Sequence, residues 1–161
     1  MSSLRAKVLT VSDGVAGGTR EDRSGPALAQ RLAAAGWEVV ETRVVPDGVE
    51  SVSSALTDLC VGFSGLVVTT GGTGFGPRDL TPEGTGAVLD REAPGIAEAI
   101  RRSADAGVRG FGMLGRGACG TRGEVLVCNL PGSMAGALEG LEVVLAVAEH
   151  ALDLMRGGRP H

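Results

Sequence analysis

Short β-branched runs alternate with helix-patterned runs along this chain, and that alternation restricts the folds open to it more than any other feature. Val8–Val11 reads as a first strand, followed by the glycine-bearing loop Asp13–Asp22. Gly25–Ala35 reads as a helix ending near Gly36. Glu38–Val45 is a second strand, with Pro46-Asp47-Gly48 as its exit turn. Val49, Val52, Leu56 and Leu59 then fall on one helical face. Gly65–Thr69 is a third strand, apolar through its middle as buried parallel strands are. Thr81-Pro82 has the form of an N-cap followed by proline at the first helical position. Pro94–Ala106 reads as a further helix and Val125–Asn129 as a late strand. Leu130-Pro131-Gly132-Ser133 leads into a long final helix, Met134–Met155. Gly110–Thr121 carries five glycines and reads as irregular structure or a short hairpin. The expectation is an α/β fold: βαβ units around a mostly parallel sheet covered on both faces.

The 161 residues fit one domain, large enough to bury roughly two-thirds of its unfolded surface without disulfides or metal. Apolar residues make up 43% but aromatics only 2%, so the core must be built from Val, Leu, Ala and Ile, and stacking platforms for single-stranded nucleic acid are disfavoured. A net charge of −4 gives no basic field to draw in nucleic acid. An anionic ligand must be held by local groups, and all the basic residues except Lys7 are arginines, suited to forked contacts with phosphate. Cys60, Cys119 and Cys128 form an odd set without C-x-x-C spacing, which points to a reducing cytoplasm. No long apolar stretch precedes Lys7, so no signal peptide is expected. The most apolar segment, Leu141–Met155, is interrupted by charged residues and is too short to span a bilayer.

In open parallel sheets ligands bind beyond the carboxyl ends of the strands. The strand exits at Ser12-Asp13, Asp47, Thr70–Gly74 and Pro131–Ser133 are polar or glycine-rich, and parallel strands bring them to one edge. Gly71, Gly72 and Gly74, clustered just after a buried strand, permit left-handed backbone and an anion-binding nest of N–H groups, or merely a tight strand-to-helix turn. A P-loop is excluded, because the sole lysine lies in the first strand, and Gly14, Gly17 and Gly18 have the wrong spacing for a dinucleotide fingerprint. Asp79 follows the glycine loop beside Arg78; it can hold a divalent cation against phosphate oxygens, or form a surface ion pair of little weight. Asp47 can join it in metal-assisted nucleotidyl transfer, or simply serve its Pro-Asp-Gly turn. Asp13 can join the pair or cap its own loop. Ser133 reads as an N-cap whose helix also offers N–H groups to an anion. Arg116 and Arg122 flank Cys119; they can clamp phosphate or solvate a loop. Cys119 and Cys128 read as packing residues, with no histidine nearby in sequence to activate a thiol.

The run from Thr69 to Glu83, TTGGTGFGPRDLTPE, resembles the signature of the molybdopterin-binding MogA/MoaB family. Val11-Ser12-Asp13 with Asp22-Arg23-Ser24-Gly25, Val45-Pro46-Asp47 and Asn129-Leu130-Pro131-Gly132-Ser133 resemble other segments of it, so the likeness runs from about Lys7 to Met155. The resemblance implies a three-layer αβα sandwich, one molybdopterin-binding domain over residues 1–161, commonly assembled as a homotrimer or homohexamer. It also implies a step of molybdenum cofactor biosynthesis, with possible contact to other proteins of that pathway. In that step the terminal phosphate of molybdopterin attacks the α-phosphate of MgATP, giving adenylyl-molybdopterin and pyrophosphate. Carried over by position, Asp47 and Asp79 match the two essential aspartates and would hold Mg²⁺. Thr70, Gly71, Gly72, Thr73, Gly74 and Arg78 match the nucleotide and phosphate loop. Ser12, Asp13, Arg122, Pro131, Gly132 and Ser133 match positions that contact molybdopterin. Three positions depart from the frequent pattern: Met134 in place of proline, Gly84 in place of alanine, and Gly115 in place of the serine before Arg116. The rival within the same fold is a module that binds or carries molybdopterin without adenylylating it.

Overall fold

A strand buried on both faces must carry apolar side chains at every position, and Gly65–Thr70 (β3) does so apart from its closing threonines: all six residues are buried. The computed structural model, which describes residues 3–105 and 110–158, places β3 at the centre of a six-stranded sheet. In chain order the elements are β1 (Arg5–Val11), the single turn α1 (Asp13–Ala16), α2 (Ser24–Ala34), β2 (Glu38–Val45), α3 (Val49–Cys60) and β3. Then come α4 (Thr81–Gly86), β4 (Arg91–Glu92), α5 (Pro94–Asp105), a 3₁₀ turn at Phe111–Leu114, β5 (Cys119–Arg122), β6 (Val125–Leu130) and α6 (Met134–Met155). The strand order is β2-β1-β3-β6-β5-β4.

Side chains along a strand point alternately to the two faces, and this divides the core in two. Leu66, Val68, Leu126, Cys128 and Leu130 pack with residues of α2, α5 and α6 on one face. Leu9, Val11, Val67, Val125 and Val127 pack with Val52, Leu56 and Leu59 of α3 on the other. The result is the expected three-layer αβα sandwich with a mostly parallel sheet. The α3 stripe departs at one position: Val52, Leu56 and Leu59 are fully buried, while Val49 in the first turn is 38% exposed. No helix among the described residues is long and apolar enough to cross a membrane.

Register decides where a site can form. β1, β2, β3 and β6 are parallel, with Val11 level with Val45, Thr10 with Thr70, and Thr70 with Leu130. The exits of these strands therefore share one edge. β5 runs the other way: Cys119 pairs with Cys128, and Arg122 pairs with Val125 at the start of β6. Arg122 thus stands at the opposite, amino edge.

Two local readings need correction, and the end of a third lies outside the described residues. The glycine-rich Gly110–Thr121 segment is neither wholly irregular nor only a hairpin; it holds the 3₁₀ turn and then the hairpin strand β5. Helix α5 is described as far as Asp105, and Ala106, its expected last residue, lies outside the described residues. Thr81 does not cap α4, whose N-cap is Leu80 without a side-chain bond. Thr81 is fully buried and its hydroxyl donates to the Gly71 carbonyl at 2.9 Å, because that carbonyl is the acceptor its closed environment offers. At Gly84 a Cβ would lie 2.7 Å from Val52 Cβ, so the glycine here permits the close approach of α4 to α3.

Candidate active site

Immediately after β3 the chain turns through Gly71 and Gly72 at φ of +100° and +67°, values that L side chains rarely adopt. The fit is steric as well. A Cβ on Gly71 would strike the Val11 carbonyl oxygen, and one on Gly72 would strike Thr81 Oγ1 and stand 3.0 Å from Asp47 Oδ1. The Gly71 N–H donates to Leu130 O at 3.3 Å, whereas those of Gly72, Thr73 and Gly74 have no acceptor among the described residues. Thr70 Oγ1 donates to Pro131 O at 2.7 Å and joins the β3 exit to the β6 exit. Gly132 packs against Gly71: its Cβ would lie 3.3 Å from Gly71 Cα. Beyond it Ser133 caps α6, its Oγ accepting from the Gly136 N–H at 3.1 Å.

The β1 and β2 exits are laced to this loop. Ser12 caps α1 through the Val15 N–H at 3.2 Å. The Asp13 N–H donates to Asp47 Oδ2 at 2.9 Å, and the Asp47 N–H donates to Asp13 Oδ1 at 3.1 Å. Arg78 reaches across with Nε to Asp13 Oδ2 (2.9 Å), and with Nη2 to Asp13 Oδ1 (3.0 Å) and Asp47 O (2.9 Å). The hydrogen bond from Arg78 holds the Asp13 carboxyl below the ordinary carboxylate range, desolvation opposing it, and raises Arg78 in turn. Arg78 is thus a tie between strand exits rather than an uncommitted phosphate cation. Asp79 Oδ2 accepts the Gly76 N–H at 2.9 Å. Asp47 and Asp79 each keep their Oδ1 without a partner among the described residues.

Of these residues, Ser12, Asp47, Gly71, Gly72, Asp79 and Ser133 line an open cleft of about 660 Å³. Thr10, Arg20, Asp22 and Met134 line it too, and sequence reasoning did not place them there. Asp22 had a legible signal, since it accepts from Gly25 N–H three residues on, a loop-capping spacing; its second bond, from Thr10 Oγ1 at 2.9 Å, is set only by the fold. Beyond Ser133 a second, mostly apolar cavity of about 460 Å³ opens beneath α5 and the 3₁₀ turn. Thr73, Gly74, Pro131 and Asn129 form its side nearest the loop, and Ile100, Arg101 and Phe111 its far side. Buried Asn129 donates to Thr69 Oγ1 (3.0 Å) and Thr85 Oγ1 (2.9 Å) and accepts the Ala118 N–H (3.0 Å), which fixes its place in the lining of the apolar cavity.

Two arginines of the glycine-rich segment part company. Arg116 lies against the loop, with Nε to Gly74 O (2.8 Å), Nη2 to Asp79 O (2.7 Å) and Nη1 to Glu83 Oε2 (2.7 Å). The Arg116 hydrogen bond holds the Glu83 carboxyl below its ordinary range. Arg122, expected in the cleft, is not brought to it; it donates to Val88 O at 2.8 Å and lines a hollow at the amino edge with Cys60, Ser64 and Asp90. Cys119 and Cys128 are buried across from one another on β5 and β6 and do not line the cleft.

Residues 7–150 match the family described as "Probable molybdopterin binding domain". The chain is 38% identical over 148 residues to the molybdopterin adenylyltransferase of Escherichia coli K12, covering 89% of this chain and 75% of that protein. It is 34% identical to the molybdopterin adenylyltransferase of Helicobacter pylori J99, covering 98% and 90% respectively. Among solved structures, the molybdopterin biosynthesis Mog protein from Mycobacterium ulcerans superposes with a TM-score of 0.89 at 40% identity, covering 98% of this chain and 99% of that one. The chain spans half or less of the length of the first curated relatives it matches (49%, 26% and 22%).

Proposed function

The chain belongs to the molybdopterin-binding-domain family, and from that premise we propose that it transfers the adenylyl group of ATP to molybdopterin, releasing pyrophosphate. Relatives of comparable length carry the name molybdopterin adenylyltransferase, and the chain is a nucleotidyltransferase of molybdenum cofactor biosynthesis. One observation carries the reading. Asp47 and Asp79, each with an unshared carboxylate oxygen, face the same cleft as Gly72, where a run of three N–H groups without an acceptor among the described residues begins that continues through Thr73 and Gly74 to the adjoining apolar cavity. That cleft meets the apolar cavity at Ser133. Phosphates lie at Gly71–Gly74, and the two ring systems, adenine and pterin, extend to either side.

The attacking group is already an anionic phosphate, so no strong base is required. The barrier comes from bringing polyanions together and from charge growing on the departing pyrophosphate. The N–H groups of Gly72, Thr73 and Gly74 and the positive end of α6 at Ser133 answer both. Asp47 and Asp79 fit a Mg²⁺ ion, which is commonly held by one or two carboxylates with phosphate oxygens and water completing its shell. Asp47 and Asp79 would hold the ion through the carboxylate oxygens that have no partner among the described residues. When bound, the ion supplies charge neutralisation between phosphate oxygens. Ser12, Asp13, Pro131, Gly132 and Ser133 border the substrates, and Arg78 serves by holding Asp13 and Asp47 together. We read the active form as a cytoplasmic homotrimer or homohexamer that receives the pterin from another protein of the pathway.

The test is pyrophosphate release from ATP by the purified chain with Mg²⁺, with and without molybdopterin. Release that requires molybdopterin is expected. Molybdopterin binding with no pyrophosphate would overturn the reading and leave a binding module.

A further inference from the structure

We propose that Arg116 is a positioning residue for Asp79: it closes the neck of the loop from Gly74 to Asp79 and so sets where the Asp79 carboxylate stands in the cleft. The inference rests on the adenylylation reading above. Between those two residues the chain makes an excursion through Phe75, Gly76, Pro77 and Arg78 that belongs to no helix or strand. Its internal support is a single turn, in which the Asp79 N–H donates to Gly76 O at 3.0 Å and the Gly76 N–H to Asp79 Oδ2 at 2.9 Å. Phe75 at its tip is 73% exposed and anchors nothing in the core.

One guanidinium bridges both ends of the excursion, Nε on Gly74 O and Nη2 on Asp79 O, while the Arg116 N–H donates to Thr73 O at 2.9 Å. Glu83 of α4 turns the guanidinium plane toward the neck by accepting from Nη1 and Nη2. The far side of the loop has its own tie, Arg78 to Asp13 and Asp47 O. The two arginines therefore divide the labour: Arg78 fixes the Asp47 side of the cleft and Arg116 fixes the Asp79 side. A planar fork with donors in fixed directions can serve two carbonyls and a carboxylate at once, and a lysine ammonium in the same place cannot. The effect of Arg116 must then travel through geometry and not through its charge.

The experiment compares the full chain with Arg116→Lys, Asp79→Asn and the double variant. It measures kcat and KM for ATP in molybdopterin adenylylation, and amide hydrogen exchange by mass spectrometry in the ligand-free state. Arg116→Lys is expected to lower kcat about 10-fold with KM for ATP within about 3-fold, and to speed exchange in the Gly74–Asp79 segment while the β3 and β6 peptides stay protected. Added to Asp79→Asn it should cost little more, because both act through the same carboxylate. Multiplicative losses in the double variant, or loop exchange unchanged by Arg116→Lys, would overturn the proposal. If the wild-type chain does not adenylylate molybdopterin, the adenylylation reading fails by itself, and the loop exchange still decides whether Arg116 holds the neck.

Discussion

At the carboxyl edge of the sheet, Arg78 and Arg116 direct their guanidinium groups onto the main-chain carbonyls of Asp47, Gly74 and Asp79. At the amino edge, Arg122 gives one bond to the Val88 carbonyl, and Asp90 accepts one from the Gly123 N–H. Both edges carry arginine, aspartate and glycine. They differ in what those residues join. The carboxyl-edge bonds join the segments that leave β2 and β3 and the stretch that precedes β5, so they fix one cleft-edge segment against another. The amino-edge bonds tie the end of one hairpin to the turn after α4. Strand direction, rather than residue type, separates a candidate reaction site from a structural seam.

The contrast can be broken by substitution, and the largest effect belongs to the carboxylates. Asp79→Asn and Asp47→Asn should each lower adenylylation by ~100-fold or more, with molybdopterin binding largely kept, because the lost interaction is felt as charge develops. Steady-state turnover beside a molybdopterin titration checks this; near-wild-type rates for both variants would erase the distinction between the edges. Arg78→Ala should cost less, about 10-fold in kcat, since Asp47 stays bonded to the Asp13 N–H when the guanidinium is gone. Arg122→Ala should leave turnover within about 2-fold and show itself, if at all, in the thermal midpoint. A loss of molybdopterin affinity in that variant would move Arg122 back into the site.

A pH titration sharpens the same comparison at its smallest scale. Arg78 lowers the folded-state pKa of Asp13, and Arg116 lowers that of Glu83. Groups depressed in this way contribute stability that is fully present above their unfolded pKa and lost as pH falls through the folded one. These ties should hold unchanged across neutral pH and release only in acid, below the ordinary carboxylate range. Carboxyl NMR shifts should place both midpoints low, and Arg78→Ala should return Asp13, and not Glu83, toward its ordinary value.

Much of this architecture was readable from the chain. Runs long enough to show a period, such as Glu38–Val45 and Met134–Met155, appear with the bounds their patterns imply. The meeting of Asp13, Asp47, Thr70 and Pro131 at one edge followed from parallel strands alone. β4 escaped notice because Arg91 and Glu92 are two exposed residues with no period to read. β5 was legible only as one of two alternatives, a short hairpin or irregular structure, because Cys119-Gly120-Thr121-Arg122 is four residues with a glycine inside. That short antiparallel strand is what carries Arg122 away from the cleft, since direction is set by pairing with β6 and not by composition. The roles of Thr81 and Arg116 were illegible for a related reason. Each binds main-chain carbonyls, which every residue has, so no pattern of side chains announces the partner.

The central claim is that the substrates meet at the carboxyl edge, on the loop between Asp47 and Asp79. A crystal structure with Mg²⁺ and a non-hydrolysable ATP analogue tests it most directly. The triphosphate should lie within hydrogen-bond reach of the Gly72, Thr73 and Gly74 N–H groups, with the ion between it and the two aspartates. A triphosphate seated at the amino edge, on Arg122, would contradict the account.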